Sequence, residues 1–137
     1  MALVQSADLS DLLEAHGAAL VDCRFGDSLA VPSIQIMLEE LGPNLWEKNI
    51  DRYVDYGHTF SKLLEMVPRA DVMHGEAVNV DSFFCIVLSH LRGYVKANTA
   101  RRVLKCMQSL SLPTHSANLI SSLEWQSCKD AVEHWHG

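Results

Sequence analysis

No two of the four cysteines, Cys23, Cys85, Cys106 and Cys128, form a CxxC pair, which excludes a zinc knuckle and a dithiol redox motif. They read as free thiols serving as small hydrophobes. Positive charge is also scarce: 11 Lys and Arg against 17 Asp and Glu give a formal charge of −6. The one adjacent basic pair, Arg101-Arg102, fits a solvated helix face, so no nucleic-acid surface is expected. No apolar run reaches the ~18 residues that a membrane-spanning helix needs. The opening MALVQSADLSDLLEAHG is acidic where a secretory leader would be basic, which points to the cytoplasm. No GxGxxG phosphate loop, alternating strand pattern, internal repeat, linker or low-complexity tract occurs. What remains is an ordinary globular composition, 48% hydrophobic and 20% charged over 137 residues, enough for one domain with one core.

The apolar spacing predicts an all-α chain. Asp8 or Ser10 is placed to cap an opening helix through Leu12, Leu13 and Ala19. A turn is expected near Gly26-Asp27, running to Pro32. Ser33 can then cap a helix with Ile34, Met37, Leu38 and Leu41 on one face, stopped by Gly42-Pro43. Ala77, Val80, Phe84, Val87, Leu91 and Val95 recur every three or four residues and predict the central core helix. Thr99 is expected to cap a further helix carrying Val103, Leu104 and Met107, ended by Leu112-Pro113. A final helix is expected from about Asn118 into Val132.

The chemistry-bearing residues gather in two short segments, Asp55-Tyr56-Gly57-His58-Thr59-Phe60-Ser61 and His74-Gly75-Glu76-Ala77-Val78. Each sets a histidine beside a glycine, and imidazole is a common zinc ligand. The stretch between the two histidines is too long for an HExxH helix, so two segments would have to converge on one ion. By itself such a pair more often marks surface or core histidines than a metal site. A catalytic zinc usually takes three protein ligands, so a third would have to come from elsewhere. Glu76 can orient a ligand imidazole or simply favour a helix N-terminus. Arg52 can pair with Asp55, meet a phosphate, or lie on the surface.

DYGHTFS and HGEAV resemble the paired zinc-site motifs of the dehydroquinate synthase superfamily. The stretch SIQIMLEELGPNLWEKNIDRYVDYGHTFS is most similar to its sedoheptulose 7-phosphate cyclase branch, of the 2-epi-5-epi-valiolone synthase type. The resemblance runs from about Ser33 to Val95 and more loosely to the C-terminus. It implies that residues 1–137 form the helical metal-binding C-terminal domain of a longer enzyme, whose N-terminal α/β domain carries NAD. It implies zinc held by His58 and His74, with a third ligand, a glutamate, that would fall before Met1. Asp55 is implied to contact substrate hydroxyls, with Arg52 beside it. His134 matches a C-terminal active-site histidine of the branch, although Trp135 and His136 depart from the residues that succeed that histidine in the family. Lys62 departs from the family, which has histidine or proline there.

The implied reaction is conversion of a sugar phosphate to a cyclitol. NAD transiently oxidises a hydroxyl, phosphate is eliminated, the ketone is reduced back, and an intramolecular aldol addition closes the ring. The resemblance also allows a homodimer of the full-length enzyme and implies that the 137 residues alone are inactive. A non-catalytic helical remnant or interaction module is the rival class.

Overall fold

A computed structural model describes residues 2–21, 26–49, 52–66 and 72–115. Five α-helices occur in order: α1 (Ala7–Val21), α2 (Gly26–Leu41), α3 (Ser61–Glu65), α4 (His74–Leu91) and α5 (Ala97–Ser109). Short 3-10 turns at Gly42–Asn44 and Tyr53–Asp55 separate α2 from α3, and no strand occurs among the described residues. The all-helical expectation holds. No helix among the described residues is long and apolar enough to cross a membrane. The expected final helix, with Cys128 and His134, and also Cys23, lie outside the described residues.

The chain divides into two compact units, Met1–Tyr56 with Ser109–Ser111, and Gly57–Gln108 with Leu112–Gly137. In the first, α1 is capped by Ser6, whose Oγ accepts the Leu9 N–H at 3.1 Å, and not by Asp8 or Ser10. Leu9 is buried beneath that cap. Helix α2 corrects a second expectation, because it starts at Gly26 and runs through Pro32 and Ser33 without a break. The φ of proline is already helical, so Pro32 forfeits one backbone bond without forcing a stop. Most of the apolar face of α2 is open. Ile34, Met37 and Leu38 are 58%, 45% and 64% exposed, and Val31, Ile34 and Leu38 edge a shallow apolar groove. Leu38→Asp should therefore change stability by no more than about 0.5 kcal/mol. A urea midpoint far below that of the native chain would refute this exposure.

In the second unit α3 packs on α4, and Leu64, Ala77 and Val80 form a buried cluster closed by Val72. Removing three methylene-sized groups there has a different outcome: Leu64→Ala should cost ~2–4 kcal/mol in the same urea experiment. The α4 stripe is correct at its N-terminal half only, since Ala77 and Val80 are buried but Leu91 is 75% exposed. Asp81, Ser82 and Ile86 are buried instead, so the covered face is rotated from the predicted one. Helix α5 begins two residues ahead of Thr99 and buries Val103 and Met107. It stops at Ser109, ahead of a positive φ at Ser111, and Asn79 Nδ2 donates to the Pro113 carbonyl at 2.6 Å, tying the segment after α5 to α4.

Candidate functional site

Gly57, in the first motif, has φ +87°, a backbone conformation that L side chains rarely adopt. A Cβ there would lie 2.2 Å from Ser82 Oγ and 2.8 Å from the Val78 carbonyl oxygen, so only glycine lets this segment lie directly on α4. Three residues on, Phe60 and Ser61 donate their backbone N–H groups to Asp81 Oδ2, the second at 2.8 Å. Phe60 also meets the Phe84 ring edge-on, with centroids 5.2 Å apart. His58 lies between these two attachments, in the irregular stretch before α3 and not on a helix start.

His74 is the first residue of α4, as the motif suggested. Its ring centre lies 5.4 Å from that of His58, with the planes tilted by 47°. Two imidazoles sharing one tetrahedral zinc at ~2.1 Å place their ring centres ~5 Å apart. His58 Nδ1 is also buried without a hydrogen-bond partner. A buried polar nitrogen left bare is costly, and a ligand in place of the missing donor would relieve it. His74 Nδ1 is 2.9 Å from Glu65 Oε1, which leaves Nε2 as the ring atom offered outward. Among the described residues no group of three or more His, Cys, Asp or Glu converges to hold a metal. The two rings thus fit part of a metal site.

Glu65, not Glu76, is the carboxylate on a candidate ligand. Glu76 Oε2 accepts the Met73 N–H at 3.0 Å and serves the start of α4, the plainer of its two roles. Nothing around Glu65 in the sequence distinguishes it; its position becomes meaningful only when α3 folds back to the beginning of α4.

Arg52 and Asp55 form a fork. Nε and Nη2 of Arg52 donate to the two Asp55 oxygens at 2.8 and 3.0 Å, and Nη1 donates to Glu47 Oε1 at 2.6 Å. Bonds from Asp55 first and Glu47 second raise the guanidinium further above its ordinary range. Of the three roles open to Arg52, the geometry selects pairing with Asp55. Glu40, at the end of α2, accepts the Val54 N–H at 3.2 Å and helps hold the same turn.

The family described as 3-dehydroquinate synthase C-terminal matches residues 1–134. The chain belongs to this family. Within it, the chain is 41% identical to 2-epi-5-epi-valiolone synthase from Actinoplanes sp., with all of the chain and 37% of that protein aligned. It is 34% identical to demethyl-4-deoxygadusol synthase from Trichormus variabilis, over 92% of the chain and 34% of that protein. A solved 2-epi-5-epi-valiolone synthase from Streptomyces hygroscopicus subsp. jinggangensis 5008, with NAD+ and Zn2+ bound, superimposes with a TM-score of 0.83 at 40% identity. That match covers 97% of this chain and 38% of the solved one. The chain therefore spans little more than a third of the relatives it matches.

Lys62, the departure from the dehydroquinate synthase pattern, is exposed on α3. Cys85 and Cys106 are half-buried thiols. Burial, and then the adjacent Asp81 carboxylate, pushes the Cys85 thiol up to about 12. Its folded value thus exceeds its unfolded one. Stability linked to this group is fully present below pH ~9 and is lost as pH rises from there through about 12. At pH 8.5, iodoacetamide should label Cys85 in the native chain at least 100-fold more slowly than in urea, since the thiolate is the nucleophile. Peptide-resolved mass spectrometry reads the ratio, and equal rates would show that the thiol is neither covered nor disfavoured as an anion.

Proposed function

We propose that residues 1–137 are the metal-holding helical part of a sugar-phosphate cyclase that acts on sedoheptulose 7-phosphate in the manner of 2-epi-5-epi-valiolone synthase. The carrying observation is the approach of the His58 and His74 rings to the separation that one shared ion demands. Zinc and NAD, the groups bound in the solved Streptomyces relative, would supply Lewis acidity and hydride chemistry respectively. His58 and His74 are the residues here that would hold the metal, and a third ligand and the NAD site come from groups outside the described residues. Glu65 keeps the His74 ring turned so that Nε2 is available. Asp55, with its carboxylate fixed in plane by Arg52, accepts hydrogen bonds from substrate hydroxyls. The reading describes a cytoplasmic lyase that eliminates phosphate and works as a homodimer when complete.

The test is a chimera in which residues 1–137 replace the matching part of the Streptomyces hygroscopicus enzyme. Phosphate release from sedoheptulose 7-phosphate, dependent on NAD and zinc, is the expected result. A chimera that folds, binds NAD and releases no phosphate would overturn the reading and favour a non-catalytic remnant.

A further inference from the structure

Asp81 is wholly buried, yet the proposed chemistry does not use it. A carboxylate in such a place must find donors, and every partner it has among the described residues is one: the Phe60 and Ser61 N–H groups on Oδ2, and the Cys85 thiol at 3.3 Å on Oδ1. Two of the three donors belong to the backbone shortly after His58. The residue before His58, Gly57, is pressed against Val78 and Ser82 of the same helix. The His58 segment is consequently pinned to α4 on both sides of the imidazole, and α4 is the helix that begins with His74. One rigid element thus sets both rings.

We propose that Asp81 is a positioning residue for the metal pair: by holding the Phe60 and Ser61 N–H groups it fixes the direction from which His58 faces His74. The proposal rests on the reading of His58 and His74 as metal ligands. Asparagine at this position keeps the volume but carries no charge: with its one acceptor oxygen turned to the loop, both bonds lose their charge assistance and the N–H₂ group is left facing the Cys85 thiol, and turned the other way it loses both loop bonds.

The experiment is a zinc titration of the full 137-residue chain, monitored through the His58 and His74 ring resonances by NMR. In the native chain the two rings should respond with one shared midpoint. In Asp81→Asn the midpoints should separate and zinc should bind at least tenfold more weakly, the usual scale for losing a group that orients a ligand. Leu64→Ala, which loosens the same unit without touching these bonds, should keep a shared midpoint within threefold of native. A shared, unshifted midpoint in folded Asp81→Asn would overturn the proposal and leave the metal reading intact. Absence of any His58 response in the native chain would instead defeat the metal reading. If Asp81→Asn does not fold, amide exchange in the native chain decides. Phe60 and Ser61 N–H should exchange as slowly as that of Val80, and exchange as fast as in unstructured chain would overturn the anchor.

Discussion

Gly57→Ala is expected to lower the melting temperature by ~10 °C or more. Holding alanine at φ +87° costs ~1–2 kcal/mol on its own. The new methyl would also lie 2.8 Å from the Val78 carbonyl and 2.2 Å from Ser82 Oγ, and the carbonyl belongs to the backbone of α4, which cannot step aside. Overpacking of that kind adds ~1–3 kcal/mol. The total is a large share of the ~5–15 kcal/mol that a domain possesses, and for a chain of this length each kcal/mol moves the midpoint by ~3–5 °C. A double variant, Gly57→Ala with Ser82→Gly, separates the causes. It clears the hydroxyl but neither the carbonyl nor the φ, so it should recover only part of the loss. Circular dichroism melts measure both, and a single variant that melts within 2 °C of native would mean that Gly57 does not lie on α4.

The second large effect is on turnover. The 137-residue chain, given sedoheptulose 7-phosphate, NAD and zinc, is expected to release no phosphate above a heat-killed control. Hydride transfer needs the nicotinamide fixed against the substrate, and such orientation is worth ~7–11 kcal/mol of barrier. No dinucleotide fold exists among the described residues. Two imidazoles without a third ligand should also hold zinc weakly and exchange it readily. In the chimera with the Streptomyces enzyme, turnover should return, and His58→Ala should then lower it by ~100-fold or more if the ion loses one of its anchors. Phosphate release by the short chain alone would show that it contains a complete site. Tight stoichiometric zinc binding by calorimetry, abolished by His58→Ala, would locate a third ligand within it.

The glycine beside His58 was a readable sign, because a tight approach of backbone is something only that residue type permits. The placement of His74 at the head of α4 was readable for a similar reason: HGEAV joins a run of apolar residues at helical spacing. Glu65 was not, since one glutamate on a short amphipathic stretch carries no mark of the ring it will meet. Asp81 was hidden more deeply. A charged residue next to Val80 reads as solvent-facing on a helical wheel, and only the backbone donors of a distant bend make its burial tolerable. Pro32 misled in the other direction, as a residue that ends many helices but here sits within one. On α2 the shared apolar face was readable but its exposure was not, because apolar periodicity reports which side of a helix is oily and says nothing about whether anything covers it.

The Arg52 fork has a bearing on how a substrate would lie. One guanidinium is shared between two carboxylates, Asp55 and Glu47, so the trio carries a surplus of negative charge. Such a place repels an anion and welcomes donors. On the proposed reading, an open-chain sugar phosphate would approach this turn with its polyol end and not its phosphate. Charge alone thus biases what this turn can meet, and Arg52→Lys, which keeps the charge but loses the two-pronged geometry, would preserve that bias against anions while leaving the Asp55 carboxylate freer to turn.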